Sequence, residues 1–127
     1  MGDLPVSGAK YTKASAKDIA PERSTCGFRQ RLITKGHGAP ASVTYLKTHD
    51  AARHWHTRTH EYYYVLEGAG ALVIDEERVP IEAGDCVWIR PGAKHHAEGD
   101  LTSLIIAVPA FEPDDIFLDT PDADSPA

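Results

Sequence analysis

The sequence predicts an all-β domain, a sandwich or barrel of short antiparallel strands, on three observations. Apolar or alternating runs of strand length recur at close spacing from residue 26 onward. Turn signals rich in Gly, Pro and Asp separate them, and no segment between residues 26 and 111 carries a 3.6-residue apolar period. The composition agrees: 42% hydrophobic and 25% charged residues are ordinary globular usage, enough for one core in a chain of 127 residues.

In chain order, residues 1–24 form a polar N-terminal arm of small residues and Pro, within which Ala14 to Ala20 offers one short helix. Strands are expected at GFRQRLIT, SVTYLKT, RHWH, EYYYVLE, ALVI, VPIEA, CVWIR and LTSLIIAVPAF. The connecting turns are KGHGAPA, HDAA, TRTH, GAG, DEER, GD and PGAKHH. LTSLIIAV is apolar on both faces after Ser103, as a strand buried between two layers would be. The barrel domain is placed at residues 25–111 and an acidic tail at residues 112–127. In that tail Ile116, Phe117 and Leu118 can dock on the body, while its acidic, Pro-containing remainder is expected to be solvated and mobile.

The net charge of −6 belongs to the tail. All 13 Lys and Arg precede residue 112 and meet 13 Asp and Glu there, so the body is neutral; six acids without a base follow. No basic stripe exists to neutralise phosphates, which argues against nucleic acid as a partner. No apolar run reaches membrane-spanning length, and MGDLPVSGAK lacks a cationic stretch followed by an apolar one, so a cytoplasmic protein is expected. Val6 stands where an N-myristoylation signal needs Ser or Thr. Cys26 and Cys86 match no metal or redox spacing and read as small reduced core residues.

Residues 54–68, HWHTRTHEYYYVLEG, concentrate the chemistry. His54 and His56 are two apart, so on a strand both imidazoles project from one face. Glu61 has the wrong parity to continue that strand; a turn over Thr57 to His60 returns its carboxylate beside the histidines. If Glu61 faces inward, Tyr63 and Val65 do too, and Tyr62, Tyr64 and Leu66 face outward. In GDCVWIRPGAKHH a Gly-Asp turn, a short strand and a Pro-Gly turn deliver His95 at the mouth of a further strand. Three neutral imidazoles and one carboxylate make a mixed N/O site for a divalent first-row metal with coordination positions to spare.

The pattern His54-x-His56-x4-Glu61-x6-Gly68 resembles the first motif of the cupin superfamily, and Gly84-x5-Arg90-Pro91-Gly92-x2-His95 resembles the second. The resemblance covers roughly residues 40 to 110 and implies a single-domain jelly-roll β-barrel with His54, His56, Glu61 and His95 as metal ligands inside it. Two positions depart from the family pattern: Arg90 replaces the first Pro of the second motif, and Gly99 stands where an Asn is usual. Arg90 is either an anchor for a substrate carboxylate or a solvent-facing turn residue. Tyr63 is either a catalytic group in the pocket or a core residue. His60 and His96 adjoin ligands and point to opposite faces, so surface or supporting roles are expected, and His37 and His49 lie in loop-like surroundings. Gln30, in FxQxL, is a polar residue on an apolar face that either reaches the pocket or is a satisfied core amide.

The implied cofactor is one divalent transition metal per chain, Fe2+, Mn2+, Ni2+, Cu2+ or Zn2+, and the implied partner is a small-molecule substrate. With Fe2+ the site suits a non-haem dioxygenase, toward which the reading leans because that chemistry asks least of the protein. A Lewis-acid isomerase, lyase or decarboxylase needs in addition a poised acid or base. A non-catalytic small-molecule binding module is the third reading. Small barrels with exposed edges pair readily, so a homodimer is expected, with the N-terminal arm available to cross to a neighbour.

Overall fold

A computed structural model describes residues 10–119. Residues 1–9 of the expected arm and residues 120–127 of the expected tail, including Asp122 and Asp124, lie outside the described residues. The strands are β1 (Glu22–Arg23), β2 (Gly27–Ile33), β3 (Ser42–Thr48), β4 (His54–Trp55), β5 (His60–Ile74), β6 (Glu77–Glu82), β7 (Cys86–Ile89), β8 (His95–Val108) and β9 (Phe117–Leu118). Three single 3-10 turns, Ala16–Asp18, Lys35–His37 and Pro113–Asp115, are the helical elements among the described residues. The expected helix over Ala14 to Ala20 is thus one 3-10 turn.

All nine strands join one antiparallel sheet that curls into a jelly-roll barrel, with path β1-β2-β3-β8-β4-β9 and with β5 pairing β6, β7 and β8. The two longest strands, β5 and β8, run through both halves, paired from His60↔Val108 to Ile74↔His95. The register shifts between Val65 and Glu67, a one-residue bulge that bends the pair.

Sequence reading placed a turn at Gly68-Ala69-Gly70, but the backbone stays in β5 there. The reason is close approach: a Cβ on Gly68, whose φ is +90°, would sit 1.9 Å from the Asp100 carbonyl oxygen. Gly99 answers from β8 with φ +101°, and its Cβ would lie 2.8 Å from the Gly70 Cα. The glycines let the crossing strands touch rather than end them.

Register fixes which side chains share the inner face. One row runs Arg29, Leu46, Ser103, Val65; the next Arg31, Thr44, Ile105, Tyr63; the third Ser42, Ala107, Glu61, Ile89. Leu46, Val65, Ile105 and Ile89, with Leu72, Ile81, Ala97 and Leu101, form the core. The rows between them face out, and Tyr62 stacks on Trp88 at a ring separation of 6.0 Å. The tyrosine run therefore splits by parity: Tyr63 is 1% exposed and Tyr64 41%.

Gly68→Ala is expected to destabilise the fold by at least about 2 kcal/mol, since left-handed backbone and a blocked carbonyl contact add. A urea midpoint equal to that of the unsubstituted protein would contradict this crossing.

Candidate metal centre

His54 on β4 pairs directly with His95 at the start of β8, and their ring centroids are 4.3 Å apart. His56 follows β4, and its carbonyl accepts the Gly92 N–H of the Pro-Gly turn at 2.7 Å, tying the two histidine segments together. Glu61 enters from β5, two strands away from β4 in register. The structure thus brings His54, His56, Glu61 and His95 together, all buried, with one donor atom from each lying within 4.8 Å of the others.

The tautomers are set by the surroundings. Nδ1 of His54 lies 2.9 Å from the Ala52 carbonyl oxygen, Nδ1 of His95 2.9 Å from that of Ala93, and Nδ1 of His56 2.6 Å from that of Asp115. A carbonyl oxygen only accepts, so each Nδ1 carries a proton and donates it. The three Nε2 lone pairs are left facing the centre. His95 Nε2 lies 2.8 Å from Glu61 Oε1, and His56 Nε2 lies 3.3 Å from the same oxygen but out of line for a hydrogen bond, a buried and unsatisfied nitrogen. Acceptors packed this closely require positive charge at their centre, a proton or a cation. The residues fit a divalent metal on that ground.

Electrostatics points the same way. Burial pushes the His54 imidazole down to about 4, with His95 beside it adding to the effect, so His54 is neutral at pH 7. Burial opposes ionisation of Glu61, but His56 and His95 outweigh it and hold the carboxyl well below the usual range. Burial likewise works against protonation of His56, while Glu61 beside it draws the imidazole upward on balance. Glu61 thus draws positive charge toward the histidines, in the place a cation would take.

The C-terminal segment supports the His56 side, and here Asp115 departs from the solvated tail that composition predicts. It is fully buried. Its carboxylate accepts the N–H groups of Thr57 and Arg58 and the hydroxyls of Thr57 and Thr59, at 2.6 to 3.1 Å, while its carbonyl takes His56 Nδ1–H. Burial raises its pKa, but the donors from Thr57 to Thr59 hold it well below the usual carboxylate range. One residue therefore holds both the reversing turn and the ring of His56. β9 then pairs with β4, where Trp55 stacks on Phe117 with centroids 5.5 Å apart.

Beside the cluster opens a cavity of about 300 Å³ walled in part by Tyr63, Cys26, Thr44, Leu46 and Phe111. Tyr63 therefore faces the cavity, its hydroxyl against the Cys26 thiol, which is 3.9 Å from His54 Nε2. Burial pushes the Cys26 thiol up to about 12, and burial raises Tyr63 well above the ordinary phenol value, so both keep their protons. Arg90 is not brought to the cavity. Ile89 takes the inward position, so Arg90 projects outward with Trp88 and stacks on its ring, 3.8 Å from the centroid. His60 also lies outside and accepts the Trp88 indole N–H at 3.1 Å, and His96 pairs with Glu98. Gln30 points away from the cavity and donates to the carbonyls of Ala16 and Ile19. Its neighbours Arg29 and Arg31 face the cavity instead, which sequence reasoning missed. The alternation of FRQRL carried the signal, but which of its faces points inward depends on the pairing of β2 with β3.

The fold and the site define a jelly-roll barrel with a buried cluster of donors suited to a metal ion. The profile of the Cupin domain family matches residues 41–107, more than half of the chain, and the chain belongs to that family. A crystal structure of a protein from Planctomyces limnophilus is similar over 87% of this chain and 99% of that one, with a TM-score of 0.81 and 28% identity. A Streptomyces nucleoside dehydratase matches over 93% of this chain and 100% of its own, with a TM-score of 0.74 at 20% identity, a likeness of fold. An uncharacterized protein of Methanocaldococcus jannaschii is 38% identical over 45 residues, 35% of this chain and 36% of that protein, so the match spans about a third of its length. No helix among the described residues is long and apolar enough to cross a membrane.

His54 sets a pH dependence for the metal-stripped protein. It takes up a proton near pH 6.5 when unfolded but only near pH 4 when folded, so the unfolded state holds more protons across that window. Stability should fall by about 3 kcal/mol between pH 6.5 and 4, and His54→Gln should remove most of that slope, both read from urea unfolding. A flat profile over the window would contradict the neutral, buried His54.

Proposed function

We propose that this chain is a metal-dependent enzyme acting on a small organic molecule, with His54, His56, Glu61 and His95 holding one divalent transition metal. The observation that carries the reading is the uniform tautomer: three Nδ1–H groups are engaged by carbonyls, leaving three Nε2 lone pairs and one carboxylate converging beside a cavity. A bound ion supplies Lewis acidity at a substrate oxygen and, where iron is used, access to dioxygen chemistry.

The chain's own residues favour proton transfer. Tyr63 keeps its proton through burial and lies on the cavity wall, so it can donate to a substrate oxygen or to a departing hydroxyl. Leu46, Ile105, Phe111 and Ile116 keep that end of the cavity apolar and limit water at the reacting atoms. A proton donor beside the ligands is what the isomerase, lyase or decarboxylase reading requires, so we place non-redox chemistry first. The similarly folded nucleoside dehydratase supports it at the level of scaffold. The dioxygenase is the second reading, supported by the ligand number: four donors on an octahedral ion leave two positions for substrate and dioxygen.

We also propose a homodimer. Val43, Tyr45, Tyr62, Tyr64, Leu104 and Ile106 share the outer face of β3, β8 and β5, where Tyr64 and the adjoining Trp88 are more than 40% exposed. A contiguous apolar face of this kind favours cover by a second copy.

His54→Ala and His95→Ala are each expected to hold less than roughly a tenth of the metal of the unsubstituted protein by elemental analysis, while Tyr63→Phe keeps it. Full metal content in both alanine variants would refute the ligand assignment. Metal-loaded protein should convert a small hydroxy acid or sugar derivative without oxygen, and Tyr63→Phe should slow that turnover by roughly 10²- to 10⁴-fold. Conversion that strictly consumes dioxygen would favour the second reading. Light scattering at micromolar concentration should give twice the 13.8 kDa chain mass, and Ile106→Glu should give the single mass; a monomeric unsubstituted protein would refute the dimer.

A further inference from the structure

Arg29 and Arg31 are at odds with an apolar substrate. Both lie on the inner face of β2, opposite Leu46 and Thr44 of β3, and with Lys35 they line the cavity that reaches His54, His56 and Glu61. A guanidinium cannot shed its charge, so a wall of this kind keeps two permanent cations facing the cavity. Their one anionic partner among the described residues is Glu22 of β1. Its Oε1 lies 3.0 Å from Arg29 Nε and 2.9 Å from Arg31 Nε.

That arrangement is incomplete. Arg29 and Arg31 each approach Glu22 Oε1 with Nε, and among the described residues no hydrogen bond from a terminal Nη of either is found. Two cations share one carboxylate, which is itself 45% exposed at the side chain; the Arg29 side chain is 26% exposed and that of Arg31 48%. Lys35 is engaged by Glu112, and Glu61 by His56 and His95, so neither neutralises the excess. The other ionisable groups of the wall, Cys26 and Tyr63, are neutral. The cavity therefore has a cationic wall on β2 and an electron-pair-rich centre at the histidines.

We propose that the cavity binds a small molecule carrying an anionic group, a carboxylate or a phosphate, which the Nη groups of Arg29 and Arg31 clamp. The molecule's other end then lies toward the His54, His56, Glu61 and His95 cluster. The inference rests on the proposed small-molecule site and adds its substrate class. Guanidinium forks match both anions in geometry, and the cavity of about 300 Å³ limits the molecule to modest size. Glu22 occupies the Nε edges of both arginines and so competes for them. The same carboxylate ties β1 to β2 and thereby couples the N-terminal segment to occupancy of the cavity.

Isothermal titration with succinate, its uncharged diamide and glycerol phosphate tests this, run on both metal-loaded and EDTA-treated full-length protein. Succinate or glycerol phosphate should bind at least about tenfold more tightly than the diamide. Arg29→Gln and Arg31→Gln should each weaken the anion by roughly tenfold to a hundredfold, with the Lys variants recovering part of the loss. Glu22→Gln, by releasing the guanidiniums, should tighten it severalfold. The stronger of the two anions names the group the clamp takes. Because metal content is measured on the same samples, a charge preference that persists in EDTA-treated protein stands even if the metal reading fails. Equal affinity for succinate and its diamide, absence of binding by both anions, or unchanged affinity in both glutamine variants with metal content intact would overturn the proposal.

Discussion

A carbonyl oxygen has no proton to give, and from that follows most of what the centre of this protein can do. Facing Ala52, Ala93 and the Asp115 backbone, the three imidazoles must each carry hydrogen on Nδ1, whatever the pH at which they are neutral. Their Nε2 lone pairs are then committed to a common point, and Glu61 is held against them. The backbone performs the selection, and side-chain types alone would leave it open.

The rest of the barrel holds those carbonyls in place. Ala52 and Ala93 each lie two residues before the histidine they fix, so local chain direction is enough. Asp115 is distant in sequence, and its carboxylate gathers four donors from Thr57, Arg58 and Thr59 before its carbonyl can meet His56. The C-terminal segment is thereby part of the site, and Phe111, Pro113 and Ile116 also close one side of the cavity. β5 and β8, paired through both halves on either side of the Val65/Glu67 bulge, carry Glu61 and His95, so a slip of one residue in that pairing would turn a ligand candidate away from the centre.

The fold class was legible because it rests on short-range rules, and the set of four residues because two motifs resemble those of the cupin superfamily. Parity places His54 with His56 and separates Tyr63 from Tyr64, and glycines with Pro mark the turns. What was not legible depended on pairing between distant segments. Gly68 and Gly70 read as a turn because a close approach to β8 leaves no mark in β5 itself. FRQRL drew attention to Gln30 on its apolar face, yet that face turns outward to the N-terminal segment and the arginines turn in. Arg90 was a candidate anchor by position in a motif, but alternation after buried Ile89 sends it onto Trp88. Asp115 looked like one more acid in an acidic segment, since the donors that bury it come from a turn more than fifty residues away.

The central proposal is positional: one divalent ion is held where three Nε2 atoms and a Glu61 oxygen meet. Anomalous diffraction from crystals grown with Mn2+, Fe2+ or Zn2+ tests it most directly. A single peak is predicted about 2.0–2.2 Å from Nε2 of His54, His56 and His95 and from a Glu61 oxygen, with each Nδ1 still on its carbonyl. An ion found elsewhere, or imidazoles turned to present Nδ1, would contradict the account.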